Sequence, residues 1–439
     1  MNKMKVKIQQ VQLFDVLLVF TICMNAVRFF MNTAESTVSI YGIYIILFAL
    51  ALFRVIGKQQ YKKISKEHSL LILFLVSLNI YSIVNAIVVD TSGLVDAGKL
   101  LILSMIAFEC SFTEASRIKK IINGIIFLNI VYALLMIGKT ERIYSFQNQG
   151  ANYLTMTMTI GLSLTMCISK ILTKLYERKN KKFLTGMEKN IFLFQIIASC
   201  ILFYALTLFT ARSSLLFPIL ALVPFIFLES KFDRKKFIVV FIVACVIAYA
   251  GYQFFLNHAE EYILSRMQRL FTSMSEEDRW MIWGRCIELI INNKWYLFGG
   301  GINCFEQAIG YYPHNLYIQL VGEYGLIGVS ASIGFTYYLT ISIFKKMGEV
   351  FLLYHNSDFK YYFFQIVTGC LYLWLTYMKS FTLYDSGPLL FFIGLCFSLC
   401  KYSGEEINGI PIKYCNSNKK SLQNINSINQ SFGKAGCQS

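Results

Sequence analysis

Only four histidines occur in 439 residues, and one of them, His314, stands between Pro313 and Asn315 at the start of a long apolar run. An imidazole can take or give a proton near neutrality, so its position at such a mouth raises a chemical question. Two arginines stand in settings that favour anions. Arg279 belongs to SMSEEDRWMIWGRCIELIINN. A helical step of about 100° per residue groups it with Trp280, Trp283, Ile287, Ile290 and Ile291. A guanidinium on an apolar face needs an anionic partner, either a carboxylate or a bound phosphate. Snorkelling at the helix start or pairing with Glu276 would also satisfy it. Arg285 falls on the opposite face with Glu288 and Asn292 and reads as a solvated charge. Arg212 sits in FTARSSLLFP beside Thr210, Ser213 and Ser214, all able to hydrogen-bond a phosphate. Its plainer role is that of an interfacial arginine reaching headgroups.

The elements that must position these groups can be read around them. The helix carrying Arg279 is expected to start near Ser275 as cap, with Asp278 completing a capping box and Glu276 and Glu277 at the positive dipole end. It should lie against the membrane surface or the top of a helix bundle. Downstream, Gly299, Gly300 and Gly301 supply a backbone free to take positive φ and approach another chain or ligand closely. They follow no strand and lack the GxxxxGK[ST] pattern, which excludes a nucleotide P-loop. His314 and Asn315 then open a helix whose first N–H groups attract anions, with Asn315 as a favourable cap. Along that helix Asn315, Gln319, Gly322 and Glu323 share one face, which should line a bundle interior or a water-filled cavity. Gln319 and Glu323 would serve equally by tying helices together. Gly322, Gly325 and Gly328 allow close helix contacts.

Composition sets the solvent. The chain is 56% hydrophobic, 16% aromatic and 15% charged, which points to an all-α integral membrane protein. About twelve windows are long and apolar enough to span: 11–31, 38–56, 68–89, 94–110, 118–137, 151–173, 191–210, 214–230, 237–257, 314–343, 361–380 and 386–401. With both termini in the cytoplasm, about 30 of the 41 Lys and Arg residues fall in cytoplasmic loops and tails. That distribution accounts for most of the formal charge of +16 and leaves no role for nucleic acid. The remaining cations, among them Arg28, Lys99, Arg212, Arg266, Arg279 and Lys379, run against the bias and are better functional candidates. Residues 1–401 form the membrane domain, with a large outer loop at 258–313, and the polar tail 402–439 reads as disordered. The basic start MNKMKVK has no cleavage site after its apolar run and reads as an uncleaved anchor. The twelve cysteines show no metal-ligand spacing, and no Asp-x-Asp faces outward, so no metal site is expected. Cys286 and Cys304 share the outer loop and could pair.

Taken in order, Arg279-x-x-x-Trp283, Leu297-Phe298-Gly299-Gly300-Gly301, His314-Asn315-x-Tyr317 and Glu323-x-Gly325-Leu326-Ile327-Gly328 resemble the signature of the O-antigen polymerase/ligase family. Thr210 to Ser214 is similar to the family's upstream arginine turn, and Phe146 to Asn152 is a weaker echo. The strong part covers 207–330; Asn292 to Tyr296 lacks the proline often found there. The resemblance implies a GT-C-like bundle in a bacterial cytoplasmic membrane, with an outward-facing active site that needs neither metal nor cofactor. It implies polyprenyl-pyrophosphate-linked oligosaccharides as donor and acceptor. Arg212 and Arg279 would hold the donor's pyrophosphate. His314 would act at the acceptor hydroxyl, as general base or as a phosphate-binding group. Asn315, Tyr317, Gln319, Glu323, Arg266 and the three glycines would line the substrate site. A polymerase of O-antigen or capsule is the favoured reading, with a chain-length regulator as an accessory partner. A ligase that moves finished glycan is the alternative. Twelve spans also fit a glycan flippase or secondary transporter, which predicts charge inside two related halves.

Overall fold

The computed structural model describes residues 13–31, 37–57, 66–139, 153–178, 186–209, 212–230, 278–353 and 358–401. The ninth expected span, Ser275, Arg266, Phe146 to Asn152 and the tail 402–439 lie outside the described residues. The described chain is helical throughout. Its elements are α1 (Leu13–Ile22), α2 (Met24–Met31), α3 (Thr37–Gly57), α4 (Lys66–Val88), α5 (Leu94–Cys110), α6 (Ala115–Gly138) and α7 (Tyr153–Arg178). There follow α8 (Gly186–Thr207), α9 (Arg212–Ser230), α10 (Asp278–Asn292), α11 (Cys304–Ile309), α12 (Leu316–Leu353), α13 (Asp358–Lys379) and α14 (Gly387–Lys401). Short 3-10 turns stand at Thr91–Gly93 and Leu383–Asp385.

Five described segments are long and apolar enough to cross a membrane: His68–Val88, Ala115–Gly138, Leu154–Leu175, Lys189–Thr207 and Leu316–Met347. Four shorter apolar helices accompany them, at Leu13–Ile22, Gly42–Gly57, Ser213–Pro224 and Gly387–Cys400. The described residues are thus consistent with a multi-helix integral membrane protein; they contain five candidate spans, and the twelve expected are not confirmed. α13 stands outside that set by its lower hydropathy, and its polar residues face protein. Lys360, Gln365 and Thr368 are buried, and Gln365 donates to the carbonyl of Met166 at 3.1 Å. α13 packs most extensively on α7, and α14 on α5.

Buried charges pin the end of the bundle that the charge pattern assigns to the cytoplasm. Arg54 pairs with Glu109 at 2.9 Å, and Arg117 reaches both oxygens of Asp15. Removing one member of such a pair costs about 3–5 kcal/mol because the other is left buried and uncompensated. The described turns at Thr91–Gly93, 293–303, 310–315 and Leu383–Asp385 lie at the opposite end.

The helix bearing Arg279 is present, but its packed face differs from the expected one. Cys286 and Ile290 are buried, with Ile282 and Leu289 packed beside them against Cys304 and Phe305. Trp280, Ile287 and Ile291 are exposed. The apolar surface is wider than one stripe, and the protein takes the part centred on Cys286. Cys286 and Cys304 share that cluster as free thiols. Burial, largest of several causes, pushes the Cys286 thiol up to about 12.

Candidate active site

The long helix α12 is broken near its start. Gly325 has φ 66° and ψ −168°, a region essentially restricted to glycine. The bond that would join the Leu326 amide to the Gly322 carbonyl is replaced on both sides. Leu326 donates instead to the carbonyl of Tyr296 at 2.7 Å, and the Gly322 carbonyl accepts from Gly300 at 2.6 Å. The glycine-rich segment thus fits into the break and completes its hydrogen bonding. Gly299, at φ 80°, lies so close that a Cβ would stand 2.2 Å from the Glu323 carbonyl. Backbone that leaves the helical pattern near a membrane is tolerated where protein covers it. The segment Leu316–Met347 has 32 residues. At about 1.5 Å each they exceed the roughly 30 Å of hydrocarbon, enough to set the break near the membrane boundary.

The glycine segment is also held from α4. Tyr81 donates to the Phe298 carbonyl, and the Asn85 side chain accepts from the Ile302 amide at 3.0 Å. Ser82 lies 2.8 Å from the Tyr324 hydroxyl, and Asn79 donates to Ser104 at 2.8 Å. Sequence reasoning missed these contributors. The available signal was the recurrence of Asn79, Ser82 and Asn85 every third residue inside an apolar span, which marks a face turned to protein.

Glu323, 1% exposed, forms the knot behind the break. Its carboxylate accepts from Tyr384 at 2.5 Å, Gln319 at 3.1 Å and the Asn303 amide at 3.2 Å. Gln319 accepts in turn from the Leu383 amide at 2.9 Å. The polar face predicted for this helix is real, and protein fills the space it faces. Gly322 is covered by the Phe305 ring, which a Cβ there would meet at 2.1 Å. Tyr317 lies on the α13 side, its ring 6.3 Å from that of Trp374.

His314 stands just before α12 with φ 52°, a left-handed backbone uncommon outside glycine. Asn315 caps the helix, accepting from Tyr317 at 3.0 Å and Ile318 at 3.2 Å. Two clamps from α10 bring Arg279 to the same place. Trp283 donates its indole N–H to the Pro313 carbonyl at 2.8 Å. Arg279, one turn earlier, donates to the Lys379 carbonyl at the end of α13, 3.3 Å away. This carbonyl satisfies one donor of the five a guanidinium carries. The His314 ring lies 3.9 Å, centre to centre, from the Tyr312 ring. Burial, and then the charge of Arg279, hold its imidazole down at about 4, so it is neutral at physiological pH. Nδ1 of His314 is buried without a hydrogen-bond partner among the described residues. Arg285 is exposed and reaches the Tyr311 hydroxyl at 3.2 Å.

Arg212 is the first residue of α9. Its side chain and Thr210 lie outside the described residues. Ser213 and Ser214 are buried, and the Ser214 hydroxyl donates to Thr157 at 2.7 Å, tying this turn to α7.

The described geometry therefore brings Arg279, His314 and Asn315 together and places Gln319, Glu323 and the three glycines in the framework behind them. A family model described as O-antigen ligase matches residues 197–333. No curated protein matches the chain. The matched segment, which is similar to that family over residues 197–333, runs from α8 through the Arg279 helix and the glycine turn to the break in α12.

Proposed function

We propose that the protein is a polysaccharide polymerase of the bacterial cytoplasmic membrane. It transfers a glycan from a polyprenyl-pyrophosphate donor to a sugar hydroxyl of a lipid-linked repeat unit. The observation that carries this reading is the juxtaposition at the mouth of α12. An imidazole held neutral, with one buried nitrogen lacking a partner among the described residues, sits in the field of a guanidinium that makes one hydrogen bond among those residues. A buried polar atom without a partner marks a place where another molecule completes the hydrogen bonding.

In the reaction the acceptor oxygen bonds to the anomeric carbon as the bond from that carbon to the diphosphate oxygen breaks. The lipid diphosphate leaves with the bonding electrons. Arg279, with Arg212 from the start of α9, holds the departing charge by paired N–H donors in place of a metal ion. The diphosphate also offsets the effect of Arg279 on His314, which raises the affinity of the imidazole for a proton as substrate binds. His314 takes the hydroxyl proton as general base. Asn315 fixes the helix start behind it, and Glu323, Gln319 and the glycine turn keep the mouth in shape.

Transfer of finished glycan to a different acceptor is the second reading, favoured by the ligase description of the matched family. The test is reconstitution of the full chain in liposomes with lipid-pyrophosphate-linked oligosaccharide. A ladder of products supports the polymerase, and a single transfer to a second acceptor establishes the ligase. Movement of lipid between leaflets without a new glycosidic bond refutes both.

A further inference from the structure

An imidazole that moves a proton must be held at one angle. In most sites a hydrogen bond from one ring nitrogen to a carboxylate or carbonyl does this. His314 has no such bond among the described residues, and its Nδ1 is buried without a partner there. The charge of Arg279 reaches the ring, but no hydrogen bond from that guanidinium fixes it.

The backbone secures only the root of the side chain. Trp283 clamps the Pro313 carbonyl on one side at 2.8 Å, and Asn315 caps α12 on the other. Neither restrains rotation about the side-chain bonds of His314. Tyr312 does, its ring centre 3.9 Å from that of the imidazole at an interplanar angle of 45°. The local sequence favours this meeting. Pro313 fixes its own φ near about −65° and biases Tyr312 towards extended backbone, in which side chains two residues apart point to one side.

The hydroxyl of Tyr312 makes no hydrogen bond among the described residues. Burial, then Asp385, push it up to about 12 against the opposing effect of Arg279, and Glu306 adds to the rise. The ring is therefore a neutral phenol at physiological pH. Arg279 from α10, Glu306 from α11 and Asp385 from the 3-10 turn are the charged groups acting on the pair. Tyr312 also lines a cavity of about 640 Å³, together with Arg28, Lys99 and Asp385. Removing its ring would extend that open space to the imidazole and let water reach it.

We propose that Tyr312 is the positioning residue of His314, its ring taking the part that a hydrogen-bonded carboxylate plays beside other catalytic imidazoles. The proposal rests on the transferase reading of the site and adds what holds the imidazole ready.

The test separates the ring from its hydroxyl. The full chain is prepared in detergent with carbon-13-labelled histidine, and the one of its four histidine signals that is missing in His314→Ala is followed against pH. Tyr312→Phe keeps the ring, so the His314 midpoint should stay near 4 and kcat of the reconstituted protein within about threefold of wild type. Tyr312→Ala opens the imidazole to water, and its midpoint should rise by at least one pH unit towards the ordinary value of about 6.5. Its kcat should fall at least tenfold, because the ring is no longer held at one angle, with KM within a few-fold. Tyr312→Leu retains apolar cover and guards against a variant that fails to fold; it should keep the thermal midpoint of unfolding and still lose at least tenfold in kcat. An unmoved His314 midpoint in Tyr312→Ala, or full kcat in Tyr312→Leu, overturns the proposal. A loss in Tyr312→Phe as large as in Tyr312→Ala also overturns it, by giving the role to the hydroxyl. A raised midpoint in Tyr312→Ala, alongside no glycosidic bond formation by reconstituted wild type, keeps Tyr312 as the group that holds the imidazole and refutes the transferase.

Discussion

Replacement of Gly325 by alanine tests whether the break in α12 holds the catalytic mouth together. At Gly325 an added Cβ would stand 2.2 Å from the Leu297 carbonyl oxygen and 2.6 Å from the Gly299 nitrogen. Neither is the end of a flexible side chain, so the backbone itself must move. The φ of 66° with ψ of −168° costs a residue other than glycine about 1–3 kcal/mol. Moving the glycine turn out of the break also breaks the Leu326–Tyr296 and Gly300–Gly322 hydrogen bonds, worth about 0.5–1.5 kcal/mol each. Together the loss is about 2–6 kcal/mol. The assay is thermal unfolding in detergent, with Gly334→Ala as control. Gly334 lies in the same helix, and its added Cβ meets nothing within 4 Å, so alanine there should be neutral or stabilising by up to about 1 kcal/mol. Gly325→Ala should unfold several degrees lower and expose the chain near residues 296–301 to protease. Equal midpoints for the two variants would refute the idea that the turn is docked in the break.

Three other substitutions probe the chemistry and its framework. His314→Ala should abolish transfer, by at least a hundredfold, while binding of the lipid donor stays within a few-fold; normal product excludes the imidazole from the reaction. Arg279 helps to hold His314 down at about 4, so protonation, and the acid limb of kcat/KM, should appear only as pH falls towards 4. In Arg279→Gln the imidazole protonates more readily, so the acid limb of the residual activity should move to higher pH; an unmoved limb rules out their electrostatic coupling. Glu323→Ala leaves Tyr384, Gln319 and the Asn303 amide without their shared acceptor. At about 1–3 kcal/mol for each buried orphan, the loss should be about 3 kcal/mol or more, seen as a lowered unfolding midpoint. A fall in activity with unchanged stability would instead put Glu323 in contact with substrate.

What the sequence disclosed and what it concealed divide along a physical line. Groups whose type is costly in an apolar chain stood out at once. His314, Arg279 and Glu323 are expensive to bury, so their presence in or beside apolar runs had to have a reason. Local codes were legible for the same cause. Asn315 was read as a cap, and its side chain does accept from the first amides of α12. Quantities set by partners distant in the chain could not be read locally. Gly325 was expected to ease helix packing, but its role depends on a turn about 25 residues earlier that supplies the replacement hydrogen bonds. The packed stripe of α10 was misplaced because Trp280, Ile287 and Ile291 are as apolar as the residues that packed. Cys286, central to the buried cluster, carries little signal of its own. The polarity of α13 was likewise uninformative until its neighbours were known, since Gln365 is satisfied by α7. The same reasoning explains why Asp385 escaped notice. A carboxylate in a short turn between two apolar helices looks like ordinary loop polarity. Only the packing of that turn on α5 sets it in one cavity wall with Lys99 and Arg28, with Thr382 donating to its carboxylate at 3.0 Å.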